Sequence, residues 1–316
     1  MIFINGKLLQ VDSTFSGGEL NIKLPKLDLK MNDIVKIDCR GTDPILLFKV
    51  GLIVNAIKNN YAYLNPKIFL YLPYLPYARQ DRVCNFGEAY GLEYAIDFLH
   101  SLNIHNITVL DVHSNVYKQI IQKKEYIEFG IKNYIYGFTY VQDLYSIINN
   151  PNTIQIIPDL GMQTRYRENR PILHHDIFYY GGNSVHYTIK DPVDWYNRLP
   201  SPIICDKVRV NNQIKCSLKI PENLPNIVKN FEVEFLITDD ICDGGATFIS
   251  LVEELKQAFP EVFATRKVNI NLFVTHGIFR NGTNDLYDAG ITRIITTNSI
   301  PQGNYMHKGE FHVFEI

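Results

Sequence analysis

Residues 234–248, EFLITDDICDGGATF, combine an apolar run with groups of the kinds that can bind phosphate and ribose. Two adjacent acids, Asp239 and Asp240, follow the apolar residues, and a loop of small residues then leads to Thr247 and a helical pattern. The backbone N–H groups of such a loop can bind a phosphate, and carboxylates can hold ribose hydroxyls. An ordinary strand-to-helix turn with an aspartate cap is the alternative. Two adjacent acids and four small residues favour the phosphate site.

A second polar cluster occurs in residues 74–83, YLPYARQDRV, where Arg79, Gln80, Asp81 and Arg82 directly follow an apolar run. Guanidinium groups bind phosphate oxygens in a forked geometry, and an amide can hydrogen-bond the edge of an adenine. These residue types suit the recognition of a nucleoside polyphosphate. Taken without context, a solvated charged turn would be the better interpretation.

A basic pair lies in residues 205–210, CDKVRV. Lys207 and Arg209 are two residues apart, so an extended chain would place both side chains on the same side. Such pairs are common on protein surfaces, and this one indicates little by itself.

Short apolar runs alternate with helical patterns along the chain, which predicts an α/β fold with a mainly parallel sheet. The predicted strands are KIFLYLPY, ITVLDVHS, TIQIIPDLG, PIICDKVR, FEVEFLITDD, NINLFVTHG and ITRIITTNS. The predicted crossover helices are PILLFKVGLIVNAIKNN, EAYGLEYAIDFLHSLN and TFISLVEELKQAFP, with apolar residues at three- and four-residue spacing. The polar clusters follow the strands, and ligands of open α/β sheets bind beyond the carboxyl ends of strands. The sequence therefore predicts an active site at those ends.

The length of 316 residues favours two domains, which we place at 1–148 and 149–316. The net charge of -2 argues against a broad nucleic-acid surface. Five cysteines without a C-x-x-C pair suit a reducing compartment, and no apolar run is long enough for a membrane span. We expect a cytoplasmic protein with no nucleic-acid or membrane partner.

The phosphate loop resembles the PRPP-binding motif of type I phosphoribosyltransferases and PRPP synthetases. YARQDR matches the signature of the ribose-phosphate pyrophosphokinase (PRPP synthetase) family letter for letter. Further segments resemble that family in the same order: TFSGGEL (14–20), LDVHS (110–114), PDLGMQTR (158–165), VTHGIF (274–279) and TTNSIP (296–301). The resemblance covers nearly the whole chain, which a chance motif would not.

The resemblance implies two similar type I phosphoribosyltransferase-like domains, each a mainly parallel sheet flanked by helices. The N-terminal domain would bind ATP and the C-terminal domain ribose 5-phosphate, with a return of the last strand to the N-terminal domain left open. The family transfers the β,γ-diphosphate of MgATP to the 1-hydroxyl of ribose 5-phosphate, giving PRPP and AMP for nucleotide biosynthesis. It assembles as homodimers and homohexamers.

The resemblance also assigns roles to residues, several of which would otherwise be read as structural. Lys207 and Arg209 would be catalytic, on a flexible loop that closes over the triphosphate. The residues implied for ATP are Phe15, Glu19, Arg79, Gln80, Asp81 and His113, with Phe15 and Glu19 reaching the site of a neighbouring subunit. The residues implied for ribose phosphate are Asp159, Asp239, Asp240, Asp243, Gly244, Gly245, Ala246 and Thr247. The ligands implied for Mg²⁺ are Asp111, His113 and Asp159.

The chain departs from the family in four places. Residues 115–130 replace a stretch that carries metal ligands in the family. Gly244 stands where the family commonly has threonine, and Gly17 where it has Asn or Asp. An aromatic and histidine-bearing insert, residues 166–200, roughly doubles the usual distance from Asp159 to Lys207; such long loops are usually functional.

These departures leave three alternatives open. The same transfer onto a larger acceptor such as ADP-ribose, for NAD salvage, would change the pocket and not the chemistry. A phosphoribosyltransferase has no reason to carry YARQDR. A catalytically silent binding subunit would be expected to lose Lys207 and Arg209, which are present.

Overall fold

The computed structural model describes residues 1–10, 14–126, 130–134, 146–147, 150–159, 161, 202–210, 213–222, 224, 232–303 and 307–316. The chain forms two compact units. One comprises Met1–Tyr134 with Ser299–Pro301, and the other comprises Ile135–Asn298 with Gln302–Ile316. The predicted domain boundary at residues 148 and 149 lies outside the described residues.

The first unit contains a six-stranded sheet in the order β2-β1-β3-β4-β5-β6. Its strands are β1 (Ile2–Ile4), β2 (Lys7–Leu8), β3 (Ile34–Cys39), β4 (Lys67–Tyr71), β5 (Asn106–Leu110) and β6 (Ile131–Tyr134). Strands β3 to β6 are parallel, whereas β1 is antiparallel to both β2 and β3. The helices are α1 (Leu46–Tyr61), continued by a 3₁₀ turn at Ala62–Leu64, α2 (Gly91–Ser101) and α3 (Val116–Lys123).

Helices α1 and α2 bury the apolar faces that their sequence spacing predicts. Val50, Val54 and Ile57 of α1 and Leu92 and Leu99 of α2 are almost inaccessible to solvent. They join the buried strand residues in one hydrophobic core. Parallel neighbours need a crossover connection, and these helices provide it while covering the sheet.

The second unit contains a seven-stranded sheet in the order β13-β12-β11-β10-β7-β8-β9. Its strands are β7 (Thr153–Ile157), β8 (Ile203–Val210), β9 (Gln213–Lys219), β10 (Glu232–Cys242), β11 (Lys267–Gly277), β12 (Arg293–Thr297) and β13 (Glu310–Phe314). Its helices are α4 (Ala246–Ala258), α5 (Pro260–Thr265) and α6 (Asn284–Ala289). The pairings are parallel except that of β8 with β9.

The central strands of the second unit are buried along most of their length. All five residues of β7 are buried, as are most residues of β10 and β11. A strand covered on both faces reads as a continuous apolar run, which is why these segments stand out in the sequence. The predicted fold class, two mainly parallel sheets flanked by helices, is confirmed.

Two features of the sheets differ from the sequence-based expectation. The last strand, β13, pairs in parallel with β12 from Arg293↔Glu310 to Thr297↔Phe314. It therefore extends the second sheet and does not return to the first unit. The antiparallel strands β1, β2 and β9 were not anticipated, because two- and three-residue strands and polar strands carry little periodic signal. Among the described residues, no helix has both the length and the apolar character that crossing a membrane requires.

Candidate active site

The loop after β4 carries the predicted ATP-binding residues of YARQDR. The Gln80 N–H donates to the Tyr77 carbonyl at 2.9 Å, and the Leu92 N–H donates to the Gln80 carbonyl at 3.1 Å. These bonds tie the loop to the first turn of α2. Arg79 and Gln80 are exposed, and Asp81 is half-buried. The loop therefore holds its polar groups at the surface in a fixed backbone.

Gly91, the first residue of α2, is a requirement of this loop that sequence reasoning missed. A Cβ atom placed on Gly91 would lie only 2.1 Å from Oε1 of Gln80. The Gln80 amide therefore lies directly over the glycine. Any side chain at position 91 would displace the group predicted to read the adenine.

Asp111 follows β5 directly, at the same sheet edge as the β4 loop. Its φ of 39° is unusual for a residue with a side chain, and its exposed fraction is 2%. Asn133 supports the turn, since its Oδ1 accepts the Val112 N–H at 3.3 Å. Asn133 also hydrogen-bonds Tyr117, whose pKa burial raises to about 12. A strained backbone held by its surroundings is common at functional sites.

The start of the loop after β4 is joined to strand β5, which leads into the second loop, by backbone hydrogen bonds. The Leu72 N–H donates to the Thr108 carbonyl at 2.8 Å, and the Leu110 N–H donates to the Pro73 carbonyl at 2.9 Å. His113, which is half-buried, belongs to the second of these loops. The fold thus places two of the predicted ATP-binding segments on adjacent strands.

Phe15 and Glu19 lie on a small surface turn closed by a bridge between Thr14 and Leu20. The Phe15 N–H donates to the Glu19 carbonyl at 2.9 Å, and Gly18 turns the chain with a φ of 89°. Phe15 is 56% exposed. An apolar side chain this large and exposed would suit contact with a neighbouring subunit, but the role of Phe15 stays a prediction.

In the second unit, the two adjacent acids lie near the carboxyl end of β10. Asp239 and Asp240 are 8% and 2% exposed, and Oδ1 of Asp239 accepts the Asp240 N–H at 2.9 Å. Asp159 lies two residues beyond the end of the neighbouring strand β7. Because β7 and β10 are parallel, both acidic segments lie at the same edge of the sheet.

Cys242 ends β10, and its thiol is buried. Burial raises the pKa of its thiol, and the negative charges of Asp239 and Asp243 raise it further. The thiol is therefore protonated at neutral pH and behaves as a small apolar group.

The phosphate loop turns sharply at Gly245 before α4 begins. Gly245 has a φ of 84°, and its carbonyl accepts the N–H groups of Phe248 and Ile249 at 3.0 and 3.1 Å. A Cβ atom there would lie 3.0 Å from Cδ2 of Leu286. Ala246 is exposed and Thr247 half-buried at the first turn of α4, where helix N–H groups lack intrahelical acceptors. This geometry suits an anion.

A second loop, residues 278–283 after β11, packs against the phosphate loop. The N–H groups of Ile278 and Phe279 donate to the Cys242 carbonyl at 2.8 and 3.1 Å, and the Arg280 N–H donates to the Asp243 carbonyl at 3.0 Å. The Asn281 amide donates to the Gly244 carbonyl at 3.3 Å. Arg280 was not anticipated, although it directly follows VTHGIF.

Lys207 and Arg209 lie in strand β8 and not in a loop. Lys207 pairs with Cys216 of β9, and Arg209 pairs with Ile214. The pairing of β7 with β8 ends at Ile157↔Ile204, so the basic pair lies on the part of β8 that continues past it. The predicted extended backbone is confirmed, and the loop expected from the family resemblance is wrong for this structure, because β9 pairs along this segment. The side chains of residues 207–210 lie outside the described part.

The predicted Mg²⁺ ligands are divided between the units. Asp111 and His113 belong to the first unit and Asp159 to the second. Within the described residues, no group of three His, Cys, Asp or Glu side chains is arranged to hold a metal ion. Mg²⁺ commonly takes only one or two carboxylates and completes its shell with phosphate and water oxygens. A buried carboxylate such as Asp111 fits that chemistry.

Comparison with known proteins shows which enzymes the chain is similar to. The chain is 22% identical over 275 residues to the ribose-phosphate pyrophosphokinase of Mycoplasma genitalium, covering 85% of this chain and 69% of the relative. It is 23% identical over 306 residues to the enzyme of the same name from Sulfolobus acidocaldarius, covering 94% and 86%. The crystal structure of phosphoribosylpyrophosphate synthetase from Mycobacterium smegmatis shares the fold, with a TM-score of 0.65 and 18% identity over 96% of this chain and 85% of that one. No protein-family model matches.

The chain is a divergent PRPP synthetase-like protein. Its phosphate loop carries Gly244 where the family resemblance predicts a threonine, and Arg280 lies beside Gly244. The 166–200 insert, which is a further departure, lies outside the described residues.

Proposed function

We propose that the protein transfers the β,γ-diphosphate of MgATP to the 1-hydroxyl of ribose 5-phosphate, giving PRPP and AMP. The observation that carries this proposal is the geometry of the phosphate loop and of the two acids before it. Two buried acids, Asp239 and Asp240, precede a left-handed glycine and the first turn of α4. Carboxylates for ribose hydroxyls and N–H groups for a phosphate occur here in the order that a 5-phosphoribosyl group requires.

The first unit supplies the donor side of the proposal. Arg79 would bind the triphosphate, and Gln80 and Asp81 would hydrogen-bond the nucleoside, on a loop whose backbone is fixed by α2. Asp111 and His113 would face the phosphates with Mg²⁺. The metal ion would neutralise charge on the polyphosphate.

The transfer asks little covalent chemistry of the protein. The ribose 1-hydroxyl oxygen forms a bond to the β-phosphorus, the bond from that phosphorus to the oxygen bridging to the α-phosphate breaks, and AMP leaves with that oxygen. The hydroxyl proton passes to solvent. Lys207 and Arg209 would stabilise the negative charge that develops on the transferring group. A protonated Cys242 agrees with a mechanism that needs no nucleophilic residue.

An acceptor panel tests this proposal. The protein is incubated with MgATP and with ribose 5-phosphate, ADP-ribose or ribose in separate reactions, and products are identified by mass spectrometry. We expect AMP and PRPP with ribose 5-phosphate and no transfer to ribose. Transfer to ADP-ribose alone would replace the proposed acceptor by the larger one, and AMP-free reactions with every acceptor would refute the proposal.

A further inference from the structure

Arg280 and Asn281 lie close to the point where the family's threonine side chain would begin. A Cβ atom on Gly244 would lie 3.3 Å from Nη2 of Arg280 and 3.3 Å from Nδ2 of Asn281. Contacts this short require the neighbours to move. A hydroxyl-bearing residue at position 244 would therefore displace the guanidinium from its observed position by a few tenths of an ångström.

The placement of Arg280 is fixed by the backbone of its loop. Its N–H donates to the Asp243 carbonyl at 3.0 Å, and the turn closes where the Gly282 N–H donates to the Phe279 carbonyl at 2.8 Å. Asn281 holds the next residue of the phosphate loop through the Gly244 carbonyl. The base of the Arg280 side chain is thus anchored beside the residues proposed to bind the acceptor.

The guanidinium itself is weakly engaged. Its Nε lies 3.7 Å from Oδ1 of Asp243, and the side chain is 70% exposed. An exposed ion pair at that distance contributes little to stability. A phosphate offers a stronger partner, since guanidinium and phosphate form two parallel hydrogen bonds.

We propose that Arg280 is a specificity-determining residue that binds the 5-phosphate of the acceptor in place of the missing hydroxyl at position 244. This inference rests on the proposed function and names the group that reads the acceptor's phosphate. Asn281 is a positioning residue that holds the two loops together. Exchange of a hydroxyl for a guanidinium favours an acceptor with a fully charged terminal phosphate.

The test compares Arg280→Ala and Arg280→Lys with the wild type. We expect Arg280→Ala to raise KM for ribose 5-phosphate about tenfold to a hundredfold, with KM for ATP changed less than about twofold. Arg280→Lys should recover part of the loss, because it restores charge without the fork. Adding Gly244→Thr to Arg280→Ala should lower the raised KM, because the hydroxyl then has room.

Arg266→Ala is the matched control. Arg266 is an exposed arginine of the same unit, and it lies just before the other end of strand β11. Its removal should leave KM for both substrates unchanged.

An unchanged KM for ribose 5-phosphate in Arg280→Ala would overturn the inference while leaving the proposed function intact. A wild type that makes no PRPP would refute the proposed function, and calorimetric titration with ribose 5-phosphate then decides on Arg280. Binding that weakens at least tenfold in Arg280→Ala supports the inference, whereas equal binding, or none to the wild type, contradicts it.

Discussion

Gly244 and Gly245 are adjacent glycines that the fold uses for different reasons. Gly245 has a φ of 84° and faces Leu286, so both its backbone and its surroundings exclude a side chain. Gly244 has a backbone that other residues adopt, and its neighbours are the polar ends of two long side chains. We therefore expect stability to depend on Gly245 and, under the proposed function, specificity to depend on Gly244.

We predict that Gly245→Ala lowers the free energy of unfolding by about 1–3 kcal/mol, the usual cost of a strained backbone position. Gly244→Ala is the matched control and should change it by less than about 0.5 kcal/mol. Denaturant unfolding followed by circular dichroism measures both. Equal stability of the two variants would contradict the assignment of the turn to Gly245.

The sequence predicts the residues of this site that are contiguous and misses those brought in by pairing. The acids and small residues of 239–247 adjoin each other in the chain, so their types and order indicate a phosphate loop. Arg280 reaches Gly244 only because β10 and β11 are parallel and end together at Cys242↔Gly277. Gly91 and Asn133 are likewise revealed by the contacts of Gln80 and Val112.

At the scale of elements, helix α2 begins with a glycine although alanine is the better helix former. Gly91 leaves room for the Gln80 amide, whose Oε1 would lie 2.1 Å from an added Cβ. In a helix interior glycine costs about 1 kcal/mol relative to alanine, and at this first helical position the cost is smaller. The glycine at the start of α2 therefore makes room for the Gln80 side chain of the neighbouring loop.

We predict that Gly91→Ala raises KM for ATP about tenfold without lowering stability, because it displaces the Gln80 side chain. The control is Gln80→Ala, which should give a similar KM. In the double variant the effects should not add, since both changes remove the same contact. Additive effects would show that Gly91 acts through another group.

Strand β8 carries the basic pair proposed to stabilise the transferring diphosphate. We predict that Lys207→Ala and Arg209→Ala each lower turnover by about a hundredfold or more and change ATP affinity by only a few-fold, because their contacts strengthen in the transition state. Steady-state kinetics and equilibrium ATP binding measure the two effects.

Lys219 of β9 provides the matched control for this hairpin. Its side chain is 59% exposed, and its Nζ forms an ion pair with Oδ2 of Asp206 at 3.2 Å. It lies at the other end of the hairpin from Arg209. Lys219→Ala should leave turnover near that of the wild type. Equal losses of ATP binding and of turnover in Lys207→Ala and Arg209→Ala would contradict their catalytic assignment.

The sequence predicts many of the parallel strands and helices but not β3 (Ile34–Cys39), although most of its residues are buried. The apolar runs of β4, β5, β7, β8, β10, β11 and β12 and the spacing in α1, α2 and α4 correspond to strands and helices of the structure. Strand β9, with the sequence QIKCSLK, mixes polar and apolar residues, and its pairing with β8 is decided by tertiary contacts. Because β9 pairs with β8 here, Lys207 and Arg209 lie in a strand where a loop was expected.

On the scale of the whole molecule, each unit has its own hydrophobic core and its own share of the proposed chemistry. The residues proposed for ATP belong to the first unit, and those proposed for the acceptor belong to the second. The exposed Phe15 adds the proposal that a neighbouring subunit contributes to ATP binding, so the protein would act as a homo-oligomer.

We predict that Phe15→Ala and Arg79→Ala chains, each nearly inactive alone, recover partial activity when mixed. In a mixed oligomer some sites would receive an intact Phe15 from one chain and an intact Arg79 from the other. Activity is assayed after subunit exchange has been verified by mass spectrometry of labelled chains. No recovery despite exchange would show that each site is built within one chain.

The central claim is that the β- and γ-phosphates of ATP move together, and ³¹P NMR of a complete reaction tests it most directly. With MgATP and ribose 5-phosphate, we predict that the signals of AMP and of a diphosphate bonded to the anomeric carbon grow equally. The linkage between the β- and γ-phosphates stays intact. The formation of ADP together with a sugar that carries a single phosphate at its anomeric carbon besides the 5-phosphate, or of free phosphate alone, would contradict it.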